Sequence, residues 1–309
     1  YRFNLLKQDG DTQVYGQSLD RGMLSGSMDW RPTDDLVLQL AISRKRYELD
    51  GRQFQFFLGG AVPDPLDGTR FYGPEGTFLD VDSKDATFAA TYNPSDATTV
   101  RAAYQWKEDT RAMVYALGGL LENREQVQFG IYGGKNGGLN RGGYVYLDSA
   151  FSTGPLRHAL TIGVNGYKYE NRLAILPDGG PSFFTPPYTV NLSDLADSGV
   201  RAPDWDLDDS RWMVNARSRN YNLVIGDDIR LNDEWSLMAG INRSTIQTES
   251  FSFASGEPEP GSRYDESATT PTASLLYRPN AVATTYATYI ESLEQGAIVG
   301  PGYVNAGEI

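Results

Sequence analysis

The segment Leu36–Tyr47, LVLQLAISRKRY, alternates apolar and polar side chains at almost every step. One set of alternate positions is apolar: Leu36, Leu38, Leu40 and Ile42. The other set is mostly polar: Val37, Gln39, Ala41, Ser43 and Lys45. A period of two puts successive side chains on opposite faces of an extended strand, whereas a helix repeats every three to four residues. The segment therefore predicts a β-strand with one apolar and one largely polar face.

The same alternation recurs along most of the chain. Apolar residues recur at alternate positions in at least five further segments, with an acidic residue among them in the last: 24–30, 87–92, 100–107, 160–165 and 222–230. No stretch shows the spacing of an amphipathic helix. We count roughly eleven strand candidates, which predicts an all-β, antiparallel architecture.

Composition and charge narrow the class of protein. The 309 residues include 27 basic and 40 acidic side chains, a net charge of −13, with 33 glycines and 19 tyrosines. A nucleic-acid partner requires clustered Lys and Arg, so this balance excludes one. The lack of cysteine excludes disulfides, thiolate zinc sites and cysteine nucleophiles. A polar chain rich in glycines and aromatics is typical of large antiparallel β proteins, including transmembrane β-barrels.

The connections between strand candidates differ in length. Turns near residues 31–35, 93–96, 152–155, 231–234 and 278–280 are short, whereas long external loops are predicted at about 50–82, 170–213 and 248–266. A Gly-rich stretch at about 110–140 reads as less regular. Every short turn has an aromatic at the adjoining strand end: Trp30, Tyr92, Phe151, Trp235 and Tyr277. Outer-membrane barrels have short periplasmic turns, long external loops and aromatic girdles, so the pattern favours a membrane barrel over a soluble sandwich or solenoid.

An open sheet of this size is not compatible with a bilayer, because its unpaired edge groups would face hydrocarbon. The sequence also begins inside an alternating segment, at Tyr1, Phe3 and Leu5. We therefore expect the chain to be part of a longer barrel protein.

Four segments, in order along the chain, resemble successive hairpins of TonB-dependent outer-membrane siderophore receptors: 27–36 (SMDWRPTDDL), 151–163 (FSTGPLRHALTIG), 227–240 (DDIRLNDEWSLMAG) and 270–280 (TPTASLLYRPN). Their order and spacing together carry the resemblance. It implies an up-and-down transmembrane barrel of roughly 22 strands, of which residues 1–309 form the middle part. A plug domain and an energy-coupling box would lie upstream in a longer protein.

The resemblance also implies a function and partners. The function is energy-coupled uptake of a ferric siderophore across the outer membrane of a Gram-negative bacterium, and the alternative is a passive porin-like or adhesin barrel. The partners are a ferric siderophore, the TonB energy-coupling protein through the upstream region, and outer-membrane lipid and lipopolysaccharide. Iron would arrive already bound by the siderophore, so no protein cofactor and no protein metal site are implied.

Ligand pockets are built mainly from aromatic side chains with a few placed polar groups. The predicted long loops are rich in aromatics, which either pack on one another or contact a ligand. By analogy with the resembled family, the loop ends of the strands supply further contacts. The candidate ligand-binding residues are Arg46, Tyr47, Phe56, Tyr72, Tyr167, Tyr169, Trp205 and Trp212.

An enzyme needs a constellation of reactive groups. His158 is the only histidine, and its position just past the turn at 152–155 predicts a solvated turn or interface residue. No Ser/His/Asp triad and no multi-histidine metal site is assembled around it. The sequence therefore predicts a protein that is not an enzyme.

Overall fold

The computed structural model describes residues 1–57, 65–122, 125–207 and 211–296. It contains one short 3-10 helix, Leu192–Asp197, and otherwise consists of strands and their connections. The fourteen strands are, in chain order, β1 (Arg2–Asp11), β2 (Ser18–Thr33), β3 (Leu36–Asp50), β4 (Gln55–Phe57), β5 (Phe78–Ser95), β6 (Thr98–Leu120), β7 (Gln126–Thr153), β8 (Leu156–Ile175), β9 (Ser182–Phe184), β10 (Tyr188–Asn191), β11 (Arg211–Arg230), β12 (Trp235–Ser250), β13 (Tyr264–Tyr277) and β14 (Thr285–Ile290).

Eleven long strands form one continuous sheet in the order β1-β2-β3-β5-β6-β7-β8-β11-β12-β13-β14. Each of these eleven strands pairs antiparallel with its neighbour in this order. Within the described residues, β1 and β14 each pair on one side only, so the sheet has two open edges. The predicted all-β antiparallel architecture, with its up-and-down order, is confirmed.

The register sorts the side chains into two faces. The apolar face carries rows of directly opposed residues such as Leu40–Phe88–Tyr104 and Leu147–Ile162–Ile225–Ile241. The polar face carries the residues between them, including Asn165, Asn222 and Ser244. Because a one-residue slip would exchange the two faces, this pattern fixes the register across the sheet.

The aromatics beside the short turns all lie on the apolar face. Trp30, Tyr92 and Phe151 expose 56%, 45% and 43% of their surface. Trp235 and Tyr277 oppose each other across β12 and β13, and their rings stack with centroids 4.4 Å apart. Aromatic rings at one edge of an apolar band are the pattern of a membrane-interface girdle.

The Gly-rich stretch at 110–140 is regular, contrary to the sequence expectation. Strands β6 and β7 pair without interruption from Thr98–Ser149 to Leu120–Val127 and extend beyond their neighbours as a long hairpin. Several glycines permit close approach there: a Cβ on Gly118 would lie 2.1 Å from the carbonyl oxygen of Gln128. Glycine therefore serves packing here and does not break the strands.

At the end of the sheet opposite the short turns, the described loop segments pack onto the long hairpin of β6 and β7. Their buried apolar side chains, with those of the hairpin, form the loop core: Phe54, Val114, Ala116, Val127, Phe129, Ile131, Ala174, Leu176, Leu195, Ala202 and Leu207. Parts of the predicted loops at 50–82 and 170–213, namely residues 58–64 and 208–210, lie outside the described residues. The main apolar core of the described chain therefore lies at the loop end of the sheet.

Candidate functional site

A ladder of hydrogen bonds crosses four strands on the polar face. The Asn165 amide donates to the Tyr146 hydroxyl at 2.7 Å, and the Asn222 amide donates to Asn165 Oδ1 at 2.8 Å. Ser244 Oγ donates to Asn222 Oδ1 at 2.8 Å and accepts from the Asn242 amide at 2.6 Å. Shared networks of this kind hold several side chains in one arrangement. The ladder makes this wall of the sheet polar and rigid.

One acceptor atom of the ladder has no hydrogen-bond partner in the described part of the chain. Asn242 Oδ1 is buried and has no hydrogen-bond partner among the described residues. Unpaired buried acceptors are rare in native proteins because they lose their hydration without compensation. In native proteins, such a buried acceptor usually accepts a hydrogen bond from a bound water.

Three of the predicted ligand residues lie on the polar face near the loop end. Tyr167 and Tyr169 follow one another on β8 and expose 45% and 37% of their surface, and Tyr47 lies on β3. Tyr169 rests against Gly138, where an added Cβ would come within 2.9 Å of its ring, and Tyr167 lies beside Gly142. Because Gly138 and Gly142 on β7 have no side chains, both tyrosine rings pack against that strand and keep one side exposed.

Three other predicted residues belong to the loop core. Phe56 packs on Phe54 with ring centroids 4.5 Å apart, and Trp205 stacks on Phe183 at 5.4 Å. Tyr72 also packs against the loop core. These rings contact protein, and their main role in this arrangement is to hold the loops on the long hairpin.

The last two predicted residues lie on the face opposite to Tyr47 and Tyr167. Arg46 forms ion pairs with Glu48 and, at 3.7 Å, with Asp80. Trp212 exposes 40% of its surface and lies over Gly137. The eight predicted residues are therefore divided among the polar face, the loop core and the opposite face, and do not form one cluster.

Burial changes the electrostatics at the edge of the loop core. The Arg52 guanidinium lies 4.1 Å from the centroid of the Tyr115 ring. Burial lowers the pKa of Arg52, and the ring's charge distribution favours the cation in the opposite sense. Burial also raises the pKa of Tyr132, whose ring packs on Tyr115 and Phe184. The Arg52 guanidinium therefore places a positive charge against the Tyr115 ring at the base of the loops.

The sequence left two interpretations of His158, a solvated turn residue or an interface residue, and the structure excludes the solvated one. Its side chain is only 11% exposed, and Nδ1 lies 2.7 Å from Asp227 Oδ2 on the neighbouring strand. Nε2 lies 2.7 Å from the Thr153 hydroxyl, and the ring stacks on Phe151 with centroids 4.7 Å apart. The pair sits on the apolar face beside a short turn. The sequence signal was Asp227, a carboxylate at an apolar position between Ile225 and Ile229.

Neither a metal-binding cluster nor a membrane-spanning helix is found in the described residues. No group of three or more His, Asp or Glu side chains is placed to hold a metal ion in the described ranges. Over the same ranges, no helix has the length and apolar character to cross a membrane.

Solved structures of bacterial receptors have the same fold. The ferric preacinetobactin receptor BauA of Acinetobacter baumannii matches over 99% of this chain, with a TM-score of 0.81 and 18% identity. The siderophore receptor PiuA of the same organism matches over 93%, with a TM-score of 0.66 and 13% identity. The outer-membrane ferripyoverdine receptor of Pseudomonas aeruginosa, bound to ferripyoverdine, matches over 93% with a TM-score of 0.68 and 12% identity.

The chain spans 45%, 44% and 37% of the lengths of these three proteins, respectively. No curated protein sequence matches it. Residues 29–305 match the family described as TonB dependent receptor-like, beta-barrel. The chain therefore belongs to the TonB-dependent receptor family and forms part of its outer-membrane β-barrel.

Proposed function

We propose that the protein containing this chain takes up a ferric siderophore across the outer membrane, with energy supplied through TonB. The observation that carries the proposal is the match of the chain, over nearly its whole length, to the barrels of receptors named for ferric siderophores. Family membership supports a receptor or transporter role, and we infer that the chain has no catalytic role. TonB would act through a region outside this chain.

Tyr47, Tyr167 and Tyr169 are the proposed ligand contacts on the barrel wall. They face the polar side at the loop end, where an incoming chelate would first meet the sheet. Exposed tyrosines offer both a flat apolar ring and a hydroxyl, which suits the mixed surface of an organic chelate. The loop-core rings Phe56, Tyr72 and Trp205 would act by holding the loops that surround this entrance.

Growth under iron limitation tests the proposal. A strain lacking the complete gene is supplied with one ferric siderophore at a time, and the gene is restored on a plasmid. We expect growth on at least one chelate to be lost in the deletion strain and recovered with the plasmid. Unchanged growth on every chelate, together with a steady ion conductance of the purified protein in planar bilayers, would favour a passive pore.

A further inference from the structure

Four exposed basic side chains lie on the polar face toward the loop end, and together they form a cationic patch: Arg21, Lys45, Lys107 and Arg111. Arg21 directly opposes Tyr47 on the neighbouring strand, and Lys45 lies two residues before Tyr47. Alternate residues of a strand share a face, so Lys107 and Arg111, four residues apart on β6, also lie on one face. The cationic patch therefore lines the same wall as a tyrosine proposed to contact the ligand.

The register brings the two basic residues of β6 into line with the proposed ligand tyrosines. Lys107 directly opposes Asn140 on β7, and Asn140 directly opposes Tyr169 on β8. Arg111 likewise lies in the same row as Tyr47, two strands away. Neighbouring strands lie about 4.8 Å apart, so each cation is about 10 Å from its tyrosine along the row. An organic chelate of that width spans a ring and a cation.

The described protein leaves much of this positive charge unpaired. No ion pair in the described ranges involves Lys45, Lys107 or Arg111. The sequence neighbours of Lys45 give a contrast, because Arg44 and Arg46 lie on the opposite face and both bind carboxylates. Strand β3 therefore has paired cations on one face and an unpaired cation on the other.

Two carboxylates on this wall do not cancel the cationic patch. Asp85 on β5 directly opposes Lys107, but its carboxylate accepts a hydrogen bond from the Ser43 hydroxyl at 2.5 Å. Asp109 lies between Lys107 and Arg111 on β6. Four cations against two carboxylates leave this part of the wall positive, although the whole chain has a net charge of −13. The wall is therefore a local region of positive potential in an acidic protein, and such a region concentrates anions.

A fifth cation reaches the same wall from the loop after β3. The Arg52 guanidinium donates to Met113 Sδ at 3.1 Å and lies over the Tyr115 ring. Met113 and Tyr115 share the polar face with Arg111, because they are alternate residues of β6. Burial lowers the pKa of Arg52, and the positive charge of Arg111 lowers it further. A bound anion would offset the repulsion between these two guanidinium groups.

We propose that the ferric siderophore taken up through this barrel is an anionic chelate, and that Lys45, Lys107 and Arg111 bind its negatively charged oxygens. The inference rests on the proposed function and adds the charge of the ligand to it. Carboxylates and catecholates both supply such oxygens, and their hydrogen bonds with lysine and arginine are stronger than those between neutral groups. The neighbouring tyrosine rings would contact the organic part of the chelate.

Binding of three chelates to the complete receptor in detergent tests the charge of the ligand. The probes are ferric citrate and a ferric tris-catecholate, which are anionic, and a ferric trihydroxamate without ionised groups. Quenching of tryptophan fluorescence measures their affinities. We expect an anionic chelate to bind most tightly and to bind more weakly as salt is added, because salt screens exposed charges. Tightest binding of the trihydroxamate would overturn the anionic class but leave the proposed function standing, whereas binding of none would count against both.

The triple variant K45Q/K107Q/R111Q tests the cationic patch itself. An exposed ion pair strengthens binding by up to several-fold, so we expect the affinity for the anionic chelate to fall by about tenfold to a hundredfold. The affinity should also lose most of its dependence on salt. A lower melting temperature with unchanged affinity would show that these cations pair with carboxylates outside this chain, and it would overturn the proposal.

The matched control is K84Q/R141Q/R219Q, which removes three cations from the opposite face and changes the net charge equally. We expect this variant to bind the anionic chelate as the unaltered receptor does. Equal losses of affinity in the two triple variants would show a long-range effect of net charge. That result would overturn the assignment of the anion to the cationic patch.

Discussion

His158 Nδ1 lies 2.7 Å from Asp227 Oδ2 on the apolar face of the sheet, beside the short turn between β7 and β8. Each group of a polar pair on such a face loses most of its hydration, and the bond between them offsets part of that cost. The Thr153 hydroxyl and the Phe151 ring complete the enclosure of the imidazole. The pair joins β8 to β11 at the edge of the proposed membrane band.

Removing one partner of this pair is expected to destabilise the receptor. Asp227→Ala leaves the imidazole enclosed without its acceptor and should cost about 1.5–3 kcal/mol, the range for a hydrogen bond to a charged group. The combination His158→Leu with Asp227→Leu should recover much of that loss, because an apolar pair suits the site. Denaturant unfolding of the complete receptor in detergent micelles measures both changes. Asp228→Ala, an exposed position on the polar face of the same strand, is the control and should cost far less.

The hydrogen-bond ladder of the polar face predicts a second loss of stability, at Asn222. Asn222 donates to Asn165 and accepts from Ser244, so Asn222→Ala leaves polar groups of both neighbours without partners. We expect a loss of about 1–3 kcal/mol in the same unfolding measurement. Thr245→Ala, which removes a hydroxyl from the opposite face, is the comparison. Equal losses of stability in the two variants would show that the ladder stabilises the sheet no more than the Thr245 hydroxyl does.

The close packing of the loop core predicts that a side chain added at Gly133 would be destabilising. A Cβ on Gly133 would lie 2.2 Å from Trp205, whereas a Cβ on Gly130 in the same strand would lie 3.6 Å from its nearest neighbour. Gly133→Ala should therefore push Trp205 away and cost about 1–3 kcal/mol. Hydrogen exchange of residues 182–207 should rise in Gly133→Ala and stay unchanged in Gly130→Ala. Unchanged exchange in both would mean that Trp205 does not hold these loops.

A carboxylate at residue 67 gives one loop a defined pH response. Asp67 accepts hydrogen bonds from the Thr69 backbone at 2.9 Å and from its hydroxyl at 2.7 Å, and these bonds lower the pKa of Asp67. A carboxyl with a lowered pKa in the folded state stabilises the fold above its ordinary pKa, and this contribution is lost as the pH falls through the lowered value. The protection factor of the Thr69 amide, which corrects hydrogen exchange for the intrinsic effect of pH, should fall in acid. Asp67→Asn should abolish that dependence, and a persistent acid response in this variant would contradict the assignment.

The alternation that begins at Leu36 was sufficient to predict the long strands, because one side of each strand faces an apolar medium and the other does not. It failed at 110–140, where glycines look like interruptions in the sequence but allow β6 and β7 to approach neighbouring groups. Glycine carries no polarity signal, so periodicity cannot place it on a face. The aromatics at the short turns could be predicted from the sequence, because a large ring recurs beside each turn.

The candidate site was less predictable. Phe56 and Trp205 were ligand candidates because they lie in aromatic-rich loops, whose rings could either pack together or contact ligand. The structure shows these two rings packed, because the loops fold onto the long hairpin. Arg46 and Tyr47 are adjacent in sequence and therefore lie on opposite faces. His158 and Asp227 are 69 residues apart, and only the register between β8 and β11 brings them together. Long-range pairing of this kind leaves no local signal.

Two tyrosines test the proposed ligand wall. Tyr167→Ala with Tyr169→Ala should weaken binding of the proposed ligand, a ferric siderophore, by roughly tenfold or more, since loss of an aromatic contact costs about 0.5–1.5 kcal/mol beyond the lost apolar area. Tyr104→Ala removes a similarly exposed tyrosine from the opposite face and should leave ligand affinity unchanged. Fluorescence quenching of the purified receptor by the chelate measures the affinity. An equal effect of both changes would argue against these contacts.

Uptake of radioiron into iron-starved cells tests the central claim most directly. Cells with and without the complete receptor gene are given the ferric siderophore that supports growth, before and after collapse of the proton-motive force. Energy-coupled uptake predicts rapid accumulation that requires both the gene and the proton-motive force. Accumulation that persists without the proton-motive force, or that is unchanged in the deletion strain, would contradict the account.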